Sequence, residues 1–141
     1  MEIMQGAIIL LAIVGALIAL YFSLATYQIV REDLIESMPV CNVHGERERI
    51  VDTFYGRVFF LPNSIYGFVY YMTLLVTAIF YWQQITGFWA MAYLIGSGFV
   101  AVFSLFLFWS LQVKLNTMCR LCVTSHVINL IIFGIFGVRY V

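Results

Sequence analysis

The chain has 141 residues, 64% of them hydrophobic and 10% charged, with a mean hydropathy of +1.01. A soluble domain needs a surface on which roughly a quarter of the residues are charged, so that class is excluded and an integral membrane protein remains. Seven basic and seven acidic side chains cancel, which leaves no electrostatic footprint for nucleic acid.

At about 20 residues per crossing plus loops, this length accommodates about four spans. Charge-free runs place them, because a charge near the bilayer centre costs about 2.5 kcal/mol or more. Residues 3–30 carry no charge and predict a first helix over 6–30. It lacks the basic start of a signal peptide, and it runs well past the roughly 7 to 15 residues of a cleavable apolar region. A polar segment follows at 31–57, with four arginines, six acids and the breakers Pro39 and Gly45.

Residues 58–113 form a second charge-free run of 56, interrupted by Gln83-Gln84-Ile85-Thr86-Gly87. That break predicts a tight turn between two antiparallel spans, 62–82 and 88–112. The third run, 121–138, has 18 residues, close to the minimum for crossing about 30 Å. The expected fold is therefore all-α and integral to the membrane: a four-helix transmembrane bundle, one domain over 1–141. The 31–57 loop and the 114–120 connection share one membrane face, and the Gln83 turn and both termini share the other. Gly96-x-Gly98 and Gly134-x-x-Gly137 read either as points of close helix packing or as ordinary small residues of membrane helices.

All three cysteines, Cys41, Cys119 and Cys122, fall on the loop face. Cys119-Arg120-Leu121-Cys122 stands where the last helix begins, which predicts both sulfurs in its first turn, with β-carbons about 5 to 6 Å apart. A small adjustment closes a disulfide. The positive helix N-terminus and Arg120 both lie beside the sulfurs, as in reactive rather than structural cysteine pairs. The plain alternative is that they pack as small hydrophobes. Cys41 lies on a segment with the slack to reach this pair, and a count of three suits a relay in which one thiol attacks a disulfide and frees its partner. Cys41-x-x-His44 with Cys119-x-x-Cys122 is also a formal Cys3His set for zinc, although nothing else in the chain resembles a zinc ribbon.

A dithiol held in a membrane needs an outlet for two electrons, and the lipid phase offers a quinone. His126 lies four residues past Cys122, on the same helix face one turn deeper, where an imidazole could hydrogen-bond a quinone carbonyl or pass it a proton. It could equally be satisfied by a neighbouring helix. Asn63, after Pro62, is a second polar group at that depth. Phe54, Tyr55, Phe59, Phe60, Tyr66, Tyr70 and Tyr71 surround it as a clamp for a planar ring or as an interfacial belt.

The strings Thr53-Phe54-Tyr55-Gly56-Arg57-Val58-Phe59 and Asn63-Ser64-Ile65-Tyr66-Gly67, followed by Cys119-x-x-Cys122 and residues 124–129, resemble the vitamin K epoxide reductase family in order and spacing. That family includes bacterial and archaeal DsbB-like thiol oxidases. The resemblance implies a bundle around a quinone, ubiquinone or menaquinone or a similar one. It further implies that Cys122 faces the quinone, that Cys119 exchanges disulfides with a loop cysteine, and that the loop cysteine oxidises a thioredoxin-like or DsbA-like partner. Asn63 matches the family asparagine that hydrogen-bonds the quinone, and His126 stands where animal members carry a tyrosine. The family's loop normally has two cysteines, but Arg47 occupies the inner position and Cys41 matches the outer one only approximately. Three routes stay open: Cys41 exchanges directly with Cys119, a partner attacks Cys119–Cys122 itself, or an inner cysteine was replaced to trap one state.

Six basic residues, Arg31, Arg47, Arg49, Arg57, Lys114 and Arg120, lie on the cysteine face against Arg139 on the other. By the positive-inside rule this predicts a cytoplasmic cysteine face, the opposite of the family's usual extracytoplasmic one. Intracellular disulfides are abundant in hyperthermophiles, where such an inversion makes sense. The expected function is a quinone-dependent thiol oxidase, with Cys119, Cys122 and Cys41 catalytic and Asn63, His126, Tyr66, Tyr70, Phe59 and Tyr55 around the quinone. The rival is a non-enzymatic membrane protein with a structural or metal-binding cysteine cluster.

Overall fold

The computed structural model describes residues 2–26, 41–42, 57–58, 61–113 and 118–141. Four long helices, each of the length and apolarity to cross a membrane, carry the fold: α1 (Glu2–Thr26), α2 (Asn63–Val76, prolonged by a π-helical turn and a 3-10 turn to Gln84), α3 (Gly87–Val113) and α4 (Arg120–Tyr140). The all-α, four-span bundle expected from the charge-free runs is therefore present. The first helix begins at Glu2 rather than near residue 6.

Four two-residue strands sit on the loop side: β1 (Cys41–Asn42), β2 (Arg57–Val58), β3 (Leu61–Pro62) and β4 (Met118–Cys119). They form two antiparallel ladders, β1 with β4 and β2 with β3.

α1 packs chiefly on α2 and α3 on α4, with α1 also meeting α4. The buried faces of α1 and α3 are rich in small residues, joined by Ile18 on α1 and Leu107 on α3, whereas α2 and α4 bury large ones, Tyr71, Leu74, Ile132 and Phe136 among them. On α1 the inward stripe is Ile8, Ala12, Gly15, Ala16 and Ala19, while Leu10, Ile13 and Leu17 point outward. On α3 it is Ala90, Ser97, Ala101, Ser104 and Ser110. Small residues let helix backbones approach, which is how helices associate where lipid and core are equally apolar.

The two glycine pairs behave unequally. At Gly98 an added β-carbon would come within 3.1 Å of Phe133, whereas Gly96, Gly134 and Gly137 have nothing within 4 Å. The closest approach is at Gly15 instead, against the ring of Tyr71.

The turn between α2 and α3 falls where the polar break predicts it. Ile85 is extended and Gly87 starts α3 at φ +53°, a left-handed conformation that costs a residue with a β-carbon about 1 kcal/mol or more. The π-helical turn Thr77–Tyr81, near the end of the span, departs from regular α-helical bonding and leaves backbone carbonyls to be satisfied from elsewhere. Side chains from other helices serve there: Gln5 Nε2 donates to the Ala78 carbonyl at 2.7 Å, and Arg139 Nη2 donates to that of Trp82 at 3.1 Å. The Arg139 guanidinium, half-buried, also lies 4.0 Å over the Trp82 ring, a cation–π contact.

Candidate active site

The 31–57 loop returns its Cys41 to the mouth of the last helix. In the β1–β4 ladder Cys41 stands opposite Cys119, and Asn42 opposite Met118. Facing residues of an antiparallel pair have α-carbons about 4.5 to 5.5 Å apart, inside the range of roughly 4.4 to 6.8 Å that a disulfide spans. A strand pair at this point thus brings together two cysteines 78 positions apart in sequence.

The helix starts one residue later than the spacing predicts. α4 opens at Arg120, so Cys119 belongs to β4 and only Cys122 sits in the first turn. This corrects the expectation that both cysteines lie in that turn. The two are held by different kinds of backbone, a strand and a helix. Cys122 carries a free thiol and is half-buried.

Beneath Cys122, His126 is half-buried with its Nδ1 enclosed, and that atom has no hydrogen-bond partner among the described residues. The Tyr70 hydroxyl on α2 is in the same condition. An enclosed polar atom without a partner costs about 1 to 3 kcal/mol; among the described residues Trp82 Nε1, Arg139 Nη1 and the Tyr140 hydroxyl, at the other end of the bundle, share that condition, and of the five only His126 stands one helical turn from Cys122. Asn63 is the first residue of α2 and half-buried, and Tyr66 is 40% exposed. Ser23 on α1 donates to Ser64 at 3.1 Å, tying the start of α2 to α1. Tyr55 and Phe59 lie outside the described residues, as do Phe54, Phe60, His44 and Arg47.

A further polar group centres on Tyr71, which the sequence offers only as one aromatic of seven. The Tyr71 hydroxyl donates to Asn129 Oδ1 at 2.6 Å and lies 3.3 Å from Ser125 Oγ, and Asn129 Nδ2 donates to Ser104 Oγ at 2.7 Å. Asn129, seven residues past Cys122, is a buried polar residue on the face that carries Cys122. That spacing is the signal that could have found it.

A model of the vitamin K epoxide reductase family matches residues 7–136. The chain belongs to that family. The match takes in most of all four helices and everything between them. No curated protein and no solved structure gives a significant match. Family membership makes the protein a multi-pass membrane oxidoreductase of the thiol–disulfide type, and members of the family use quinones.

Proposed function

We propose that the protein is a quinone-linked thiol oxidase that makes disulfides in a thioredoxin-like or DsbA-like partner. The observation that carries this reading is the register of Cys41 against Cys119, three residues before Cys122. It supports the first of the three routes, direct exchange between Cys41 and Cys119.

The cycle is entered from a Cys119–Cys122 disulfide, the state that follows when the Cys122 thiol, free in this structure, is oxidised. The Cys41 thiolate attacks the Cys119 sulfur, so the Cys41–Cys119 bond forms and Cys122 leaves as a thiolate. A partner thiolate then attacks Cys41, and Cys119 leaves reduced. The partner's second thiol displaces Cys41, and the partner departs with a disulfide. Cys119 and Cys122 together now hold the two electrons and two protons taken from the partner.

Cys119 and Cys122 would pass those two electrons and two protons to a quinone, which would leave as quinol, and their disulfide would re-form. The enclosed His126 Nδ1 and Tyr70 hydroxyl, each without a partner among the described residues, suit such a molecule, whose carbonyl oxygens accept hydrogen bonds. His126 is the group suited to hold or pass a proton one turn from Cys122. Asn63 and Tyr66 at the start of α2 belong to the polar and aromatic side, and Tyr55 and Phe59 are further rings of the clamp.

The test uses the purified full chain, reduced with dithiothreitol, freed of reductant and then given a short-chain ubiquinone analogue. Re-formation of the Cys119–Cys122 disulfide with one quinol per protein is expected, read by mass-spectrometric peptide mapping and quinone absorbance. Cysteines that stay reduced in excess quinone overturn the reading.

The six-to-one excess of basic residues on the cysteine face supports a cytoplasmic active site. On intact cells, a membrane-impermeant maleimide is expected to leave the reduced cysteines unlabelled until the cells are opened. Labelling from outside refutes that orientation.

A further inference from the structure

Tyr71 is the largest of the fully buried side chains among the described residues, 1% exposed, and it reaches helices on both sides of its own. Its ring lies against α1 at Gly15, where an added β-carbon would stand 2.5 Å from the ring carbons. Its hydroxyl bonds Asn129 on α4, and Asn129 is held in turn by Ser104 on α3. One side chain therefore touches α1 by packing and joins α2, α4 and α3 through an unbroken pair of hydrogen bonds.

The position of this bridge along α4 matters for the chemistry. Ser125 and Asn129 flank His126, and Ser125 is three residues past Cys122, so the bridge grips the face that carries the thiol and the imidazole. The adjacent Tyr70 leaves its hydroxyl without a partner among the described residues, while the Tyr71 hydroxyl is fully engaged. Neighbouring tyrosines thus differ, one with its enclosed hydroxyl unmatched among the described residues and one used up in joining helices. Without a hydrophobic force between helices in lipid, such bonds and close packing are what fix rotation and depth.

We infer that Tyr71 is a positioning residue of the redox site: through Asn129 and Ser104 it sets the rotation and depth of α4, and so where Cys122 and His126 stand relative to Tyr70. This rests on the redox reading above. Tyr71 touches no reacting atom. Its ring fills the space beside Gly15 and its hydroxyl sets the register, so Tyr71→Phe separates the two roles.

The experiment compares wild type, Tyr71→Phe and Ser104→Ala as full chains in detergent, with dithiothreitol as electron donor and a short-chain ubiquinone analogue as acceptor. Loss of one buried hydrogen bond is expected to raise the quinone KM by about tenfold in Tyr71→Phe. The KM for dithiothreitol stays at its wild-type value, and Ser104→Ala moves in the same direction by less. In the reduced proteins, alkylation of Cys122 by a membrane-permeant maleimide, read by mass spectrometry, changes severalfold in the same order. A purely structural Tyr71 would lower the unfolding midpoint and leave both the KM ratio and the Cys122 alkylation rate alone, and that result overturns the inference. If wild type reduces no quinone, the redox reading falls, but alkylation needs no turnover and still decides the positioning role. If Tyr71→Phe does not fold, Ser104→Ala decides it.

Discussion

Cys122→Ser is expected to cut oxidase turnover by about a thousandfold or more and, once oxidised glutathione is added as the two-electron oxidant, to collect as a Cys41–Cys119 disulfide with reduced glutathione released. Groups that act as one catalytic unit lose nearly everything when a single member is removed, and no other thiol stands three residues from Cys119. With Cys122 gone, Cys119 can bond only Cys41, which faces it across the β1–β4 ladder. The reciprocal variant tells the routes apart. Cys41→Ser should keep Cys119–Cys122 intact and leave oxidation of a small dithiol measurable, while oxidation of a thioredoxin-like protein collapses. Peptide mapping without reduction reads both states directly. A Cys122→Ser protein that keeps a tenth of wild-type turnover, or that shows no bond between Cys41 and Cys119, would end the relay. A Cys41→Ser protein that oxidises the partner at full rate would instead mean that the partner attacks Cys119–Cys122 itself.

The second large effect lies far from the cysteines in sequence. Gly15→Ala is expected to destabilise the bundle by about 1 to 3 kcal/mol, the usual range for overpacking a filled core. A β-carbon at that position would stand 2.5 Å from Tyr71 Cε1 and Cζ, and a fully buried aromatic ring cannot swing aside as the end of a flexible chain can. The nearest relief is for the ring to retreat toward α4, which disturbs the Asn129 bond as well. Gly134→Ala is the control, since nothing lies within 4 Å of its added carbon; there the better helix propensity of alanine leaves stability unchanged or slightly higher. Thermal unfolding of the two variants in one detergent checks the pair. Equal midpoints for Gly15→Ala and wild type would mean that α1 and α2 do not pack as closely as the structure has them.

The helix count and the polar break before Gly87 were legible because each follows from composition over a window. The Cys-x-x-Cys before the last span and the Asn-Ser-Ile-Tyr-Gly string were legible because they are local strings. The glycines show where that legibility stops. Gly96, Gly134 and Gly137 look like packing motifs and face open space, whereas Gly15, in an unremarkable run of alanines and leucines, takes the closest contact. Cys119 is similar: i, i+3 spacing implies one shared helical turn, but pairing with the loop strand holds Cys119 outside the helix. Tyr71 looked like one aromatic among seven, and only its partners Asn129 and Ser104, 58 and 25 positions away along the successive bonds, distinguish it from Tyr70.

Whether a segment crosses a bilayer is settled by its own transfer free energy, residue by residue, so the sequence by itself determined the four spans and put all three cysteines on one membrane face. Which side of each span turns inward was decided only by the tertiary structure. With apolar residues on every side of the helices and lipid as apolar as the core, no pattern of hydrophobicity can choose a face. Shape at Gly15 and hydrogen bonding through Tyr71, Asn129 and Ser104 make that choice, and the same is true of the strand pairing that sets Cys41 opposite Cys119.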